Sequence, residues 1–224
     1  MSYGTNAPQG FQPQNTQTSA TFTGQMFMYR IPSGYNTSLF TGDPVVLTNG
    51  TLVPVTDGTA ATTLATMPLG IFQGCEWNAV DPNVLGLSKS AYWQANTVTK
   101  NAAVGASGWI ITDPNATWNI QVSTSADAEA ATATVKPAQI GQYATWALKS
   151  GGNKFKPLQP VNPGTGNTAT GQSGVYLDAS SIKDNPVGLP LVILGFVPHP
   201  QNRPGKPFCN VIVGWNQKIV KPSA

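Results

Sequence analysis

The sequence predicts an all-β protein: a single β-sandwich or barrel, jelly-roll-like, with an extended N-terminal arm and at most one or two short helices. Three observations carry this. The 224 residues include 23 glycines and 19 prolines, which interrupt the chain too often for long helices. Only 9% of residues are charged, against a usual quarter, so the Glu, Lys and Arg that build helical bundles and coiled coils are missing. Short β-branched or aromatic runs recur between turn residues, the pattern of sandwiches and barrels. A hydrophobic fraction of 40% with net charge +3 argues against disorder driven by charge, and two cysteines are too few for a disulfide scaffold.

Residues 1–25 form the expected arm. They are rich in Gln, Asn, Thr, Ser and Gly, with Tyr3, Phe11 and Phe22 as the bulky side chains. Such a segment cannot build its own core, so it is expected to be flexible or laid across a neighbour, with its aromatics as pegs. Residues 26–224 are the expected β-rich body. "MFMYRIP" from Met26 is an apolar run closed by a proline. "PVVLT", then Asn49-Gly50, then "TLVPVT" predicts a β-hairpin, because Asn and Gly both accept the positive φ angles of a tight two-residue turn. "LGIFQGCEW" is the next strand, where Gly70 and Gly74 predict bulges or close packing. "SAYWQANTV" and "GWIIT" continue the series. In "DPNATWNIQVS", Trp118, Ile120 and Val122 alternate with Thr117, Asn119 and Gln121, the period of a half-buried strand. "SADAEAATATV" is the best helix candidate, with Ser125 or Asp127 as its cap. A long Gly-, Pro- and Asn-rich loop is expected at about 151–174. "VYLDASSI", "LPLVILGFVPHP" and "FCNVIVGWNQKIV" supply the last strands, the final one with Cys209, Val211, Val213 and Trp215 on one face. Roughly ten strands are expected.

The sequence offers little catalytic chemistry, and no enzyme, cofactor or metal site is expected. His199, the one histidine, lies between Pro198 and Pro200 and reads as an exposed loop residue. Glu76 and Glu129 are the only glutamates, and aspartates such as Asp43 and Asp113 precede prolines in turns. Gly164, Gly166 and Gly171 miss the spacing of a phosphate-binding loop, and the dispersed Cys and His make no zinc pattern. Cys75 and Cys209 are expected to be free, buried thiols, although a bridge between them stays open. The N-terminus has neither the basic start nor the apolar core of a signal peptide. The most apolar run, Gly188 to Val197, is far short of the ~20 residues that span a membrane, so no membrane association is expected.

The charges are unevenly placed. Residues 1–148 hold four basic and seven acidic side chains, net −3; residues 149–224 hold eight basic and two acidic, net +6. These basics are too sparse for an aromatic-lined nucleic-acid groove, and a positive face that meets an acidic protein surface is the expectation instead. A neutral, hydrogen-bonding surface also desolvates more cheaply than one of Lys and Glu, as subunits of large assemblies require.

"YRIPSGYNTSLFTGDPVVLTNGTLVPV" (Tyr29 to Val55) resembles a Y-x-I-x-x-G-Y…L-F-x-G-D-P-V segment of tailed-bacteriophage head decoration, or cement, proteins. "PLGIFQGCEW" (Pro68 to Trp77) is similar to their next block. "SAYWQANT", "WIITDPNATWNIQV", "QIGQYA", "GVYLDASSI", "LPLVILGFVPHPQN" and "NVIVGWNQ" resemble later blocks, in the same order, over about residues 26–218. Asn216 departs from the family by lacking a nearby histidine. The resemblance implies a structural virion protein on the outer surface of the head, made in the host cytoplasm, that clamps neighbouring capsomers against internal DNA pressure. Its implied partners are the major capsid protein and itself, as a homotrimer or, second, a dimer; neither membrane nor direct nucleic-acid contact is expected. Candidate capsid or subunit contacts are Tyr3, Phe11, Phe22 and Met26 in and beside the arm, and Lys154, Lys156, Arg203 and Lys206 in the basic third. The competing reading is a virion surface binding module, fibre- or adhesin-like, that recognises host glycans, for which six Trp and six Tyr offer stacking surfaces. Core filling is the expected use of those rings.

Overall fold

A computed structural model describes residues 8–16, 25–55, 57–58, 67–80, 86–123, 134–148, 166–167 and 170–216. The fold is all-β. Its strands are β1 (Gln12–Thr16), β2 (Phe27–Ile31), β3 (Leu39–Phe40), β4 (Pro44–Thr48), β5 (Thr51–Pro54), β6 (Gly70–Asn78), β7 (Leu87–Ser90), β8 (Tyr92–Trp93) and β9 (Ala106–Ile111). They continue with β10 (Ala116–Ser123), β11 (Tyr143–Ala144), β12 (Trp146–Leu148), β13 (Gly166–Asn167), β14 (Gln172–Ser173), β15 (Val175–Asp178), β16 (Leu191–Phe196) and β17 (Asn210–Trp215). There are more strands than the expected ten or so, chiefly because β3, β8, β11, β13 and β14 are two-residue pairings that no period reveals. The assigned helical segments among the described residues are short 3-10 turns at Pro137–Gln139 and Ala179–Ser181, the second capped by the Asp178 carboxylate, which accepts from Ser180 N at 2.9 Å. Residues 125–133 of the expected helix "SADAEAATATV" and most of the expected 151–174 loop lie outside the described residues. The end of that loop pairs as the small hairpin β13–β14.

Two sheets carry the fold. The first has seven strands, ordered β11-β16-β17-β10-β15-β12, with β1 added on β10. Its pairings are antiparallel except β10 with β15. The second has six strands, ordered β2-β9-β6-β4-β5, with β7 on β6. Its end strands β2 and β5 approach each other, so it nearly closes into a barrel: Ile31 of β2 and Leu52 of β5 both reach over Gly108, where a Cβ would lie 3.1 and 2.8 Å from their methyl groups.

Local sequence accounts for much of this. Thr48 pairs with Thr51 across Asn49 (φ 50°) and Gly50 (φ 75°), so the predicted Asn-Gly hairpin forms with both turn residues left-handed. Gly74 sits where the β6–β9 register shifts, a bulge, and Gly70 lies so close to the Ile111 carbonyl that no side chain fits. On β10, Trp118, Ile120 and Val122 are buried as expected, and so are Val211, Val213 and Trp215 on β17 and Cys209 just before it.

The apolar residues form two cores. The larger holds Trp118, Trp146 and Trp215 with Ile120, Val122, Val175, Leu177, Leu191, Ile193, Val211 and Val213. The smaller, inside the near-barrel, holds Ile31, Leu39, Val45, Leu52, Phe72, Cys75, Trp93 and Ile110. β6 and β9 serve both. Successive strand residues point to opposite faces, so Phe72 and Ile110 enter the smaller core while their neighbours Ile71 and Ile111 enter the larger one. The adjacent pairs Ile71-Phe72 and Ile110-Ile111 are apolar on both faces for that reason.

The arm expectation changes at its centre. Residues 12–16 are β1, paired with β10 of this same chain, and the Thr117 hydroxyl accepts from Asn15 N (3.1 Å) and donates to Asn15 O (3.0 Å). Phe11, expected as a peg into a neighbouring subunit, is instead fully buried in its own larger core, with ring centroids 5.7 Å from Trp146, 5.8 Å from Trp215 and 6.3 Å from Trp118. The reason is a socket of three indoles that needs one more ring, which Phe11 supplies from the position just before β1.

Candidate interaction surfaces

His199 lies at the surface and the two cysteines in the cores. His199 is exposed, and its Nδ1 accepts from Gln201 N at 3.2 Å, an ordinary loop contact. Cys209 is buried in the larger core, and Cys75 in the smaller one with its thiol 3.5 Å from Tyr92 O; both are free. Burial pushes the Cys75 thiol up from 9.0 to about 12 and raises Cys209 as well. Burial, and secondarily the Asp178 charge, pushes the Tyr176 phenol from 10.0 to about 12. Such thiols stay protonated and unreactive at neutral pH. Among the described residues no group of three or more His, Cys, Asp and Glu gathers in one place.

These shifts set a pH dependence. In the unfolded chain the Cys75 thiol and Tyr176 phenol ionise near pH 9 and 10, but in the fold they hold their protons to about pH 12. Above pH 9 the unfolded state therefore binds fewer protons than the folded one, and stability falls as pH rises. The stabilisation is complete below pH 9 and is lost progressively towards pH 12. Urea midpoints measured from pH 7 to 12 are expected to be flat across this term to about pH 9 and then to drop. Cys75→Ala combined with Tyr176→Phe should flatten the drop; an unchanged slope in that variant would reject the assignment.

The surface is more informative. β2 is the end strand of its sheet, and Met26 (46% exposed), Phe27 (49%) and Met28 (65%) follow one another on it and just before it. Met28 pairs with the partly exposed Trp109, and Trp109 in turn with Gly74, so one row of the outer sheet face is apolar. The next row is charged: Arg30, Ser107, Glu76 and Lys89 are cross-strand neighbours. Lys89 Nζ lies 3.5 Å from Glu76 Oε2 and 5.3 Å from the centre of the Trp109 ring. Arg30 donates to the Val104 carbonyl (3.2 Å) and the Ala103 carbonyl (3.0 Å), which fixes its guanidinium. The Lys89–Glu76 pair, with its lysine exposed to solvent, adds little stability, but these groups frame the apolar row with fixed charges.

Of the sequence-predicted contacts, Met26 joins this row. Arg203 and Lys206 lie exposed on the β16–β17 connection of the other sheet, where Lys206 N donates to Arg203 O at 3.1 Å. The two sets are not brought together. Tyr3, Phe22, Lys154 and Lys156 lie outside the described residues. Sequence reasoning missed Phe27, Met28 and Trp109. The available signal was the unbroken run Met26-Phe27-Met28, since a strand apolar on both faces must bury two faces or expose one.

The fold and surface define an all-β protein with an apolar, charge-framed strip on the end strand of a near-closed barrel. In comparisons with known proteins, no family model, curated protein or solved structure matches the chain. The described residues contain no helix long and apolar enough to cross a membrane.

Proposed function

We propose that this chain is a structural protein of a bacteriophage head, a decoration or cement protein that binds the outside of the shell and clamps neighbouring capsomers. The single observation that carries the reading is the Met26–Met28–Trp109 strip, an exposed apolar row on a body with only 9% charged residues. Contiguous apolar surface rimmed by polar groups marks protein contact, and a neutral surround lowers the cost of covering it. The segments that resemble head decoration proteins support it: they fall, in order, on β2–β6, β8–β11 and β15–β17, which supply most of both cores. In this reading the strip meets the major capsid protein or a second copy within a trimer. The basic C-terminal third faces acidic shell surface. Many copies make modest single contacts sufficient, and binding only the expanded lattice stabilises that lattice by linkage.

The test is a particle reconstruction combined with Met28→Asp. The chain is expected outside the head, and density inside the head or in the tail would overturn the proposal. Replacing a buried methionine contact by a carboxylate is expected to cut head retention about 10–100-fold, the equivalent of roughly 1.5–3 kcal/mol of apolar burial. Because Met28 is exposed in the isolated chain, its thermal midpoint should not change.

A further inference from the structure

The outer face of the seven-stranded sheet carries a second feature, independent of the apolar strip. A cleft of about 200 Å3 is lined by Gln9, Gly10, Gln12, Asn119, Gln121 and Asn210. The register explains why these amides converge: Asn119 on β10 faces Gln12 on β1, and Gln121 on β10 faces Asn210 on β17. The Gln12 amide is fixed by donating to Gln9 O (2.7 Å) and to Gln172 Oε1 (3.0 Å). Asn210 is held through its backbone, whose N–H donates to Asn202 Oδ1 at 2.8 Å and whose carbonyl accepts from Asn202 Nδ2 at 2.7 Å. Asn119 Oδ1 is buried with no hydrogen-bond partner among the described residues. Buried acceptors are nearly always paired, so this oxygen calls for a donor from beyond the described residues.

We propose that this cleft binds one unit of a neutral saccharide. The lining has no charged side chain, so it suits neither an anion nor a metal ion. An apolar ligand would strip water from the amides and return no hydrogen bonds. An added peptide strand is disfavoured because β17 takes one edge of β10 while β1 and β15 take the other. A sugar ring offers what remains: several hydroxyls, each donor and acceptor at once, matched to amides that are the same. The volume is below the roughly 300–1,000 Å3 of sites for drug-sized ligands, which limits the occupant to about one ring. Asn119 Oδ1 is closed to solvent, so a ring hydroxyl donates to it only after the Asn119 side chain turns towards the cleft. The proposal is compatible with head decoration and does not depend on it.

The experiment is saturation-transfer NMR of the full chain with glucose, galactose, mannose and N-acetylglucosamine in turn, followed by Asn119→Ala and Gln9→Ala. At least one sugar is expected to bind, and each variant to weaken that binding tenfold or more with an unchanged circular dichroism spectrum and thermal midpoint. Asn119 is chosen because its carbonyl oxygen makes no hydrogen bond within the described chain, so truncating it should spare the fold. The proposal is overturned if no sugar shows transfer at about 10 mM, well above a ~1 mM dissociation constant. It is equally overturned if binding survives both variants unchanged.

Discussion

Phe11→Ala is expected to lower the thermal midpoint of the isolated protein by roughly 6–20 °C. Phe11 is wholly buried and contacts the Trp118, Trp146 and Trp215 rings. Truncating a buried phenylalanine costs about 3–5 kcal/mol, the lost transfer energy plus the cavity left behind. For a chain of this size each kcal/mol moves the midpoint by about 2–4 °C. Phe11→Leu, which keeps most of the volume, should cost under about 1.5 kcal/mol. The comparison separates two roles for the segment. A peg inserted into a neighbouring subunit would leave the isolated chain's midpoint untouched and weaken only assembly. Calorimetry on the purified chain distinguishes them, and an unchanged midpoint for Phe11→Ala would refute the socket.

Gly10→Ala should be nearly as damaging, although it adds a single methyl group. Gly10 has φ +71°, where an L side chain costs about 1–2 kcal/mol. A Cβ there would stand 2.6 Å from Gly42 O and 2.6 Å from Ser173 Cβ. The Gly42 carbonyl cannot retreat freely, because it accepts from Phe11 N at 3.0 Å and the Gly42 N–H donates to Phe72 O at 2.8 Å. Overpacking of this kind adds about 1–3 kcal/mol. Gly205→Ala is the control: its φ is +76° but a Cβ would meet nothing within 4 Å, so it should cost only the backbone term. Urea titration of the two variants checks this, and equal losses would show that the close approach to Gly42 is unimportant.

What could be read from sequence was local. The Asn49-Gly50 hairpin, the alternation on β10 and β17 and the special positions of Gly70 and Gly74 depend on neighbours within a few residues, and the structure has them all. Phe11 was misread because its partners Trp118, Trp146 and Trp215 are remote in the chain, and a polar setting of Gln, Asn and Thr hid one core residue. The division into two cores was also hidden. Adjacent apolar residues such as Ile110 and Ile111 show that both faces are buried, not that each face belongs to a different core. For the candidate surfaces, Met26 was legible as an exposed apolar residue beside the arm. The amide cleft was not, because Asn and Gln are common throughout this chain and only the register of β1, β10 and β17 picks out these few.

The strands that serve both cores have a mechanical consequence. β6 and β9 are rigid ladders that run from one apolar interior into the other, where many two-lobed proteins have a flexible tether. Opening either lobe strips one face of the same two strands and so weakens the other, which couples them into one cooperative unit. A pull applied at the β2 strip is carried across the β2–β9–β6 ladder to the far lobe as strain on many hydrogen bonds at once. The molecule would then behave under tension as a strut and not as a hinge.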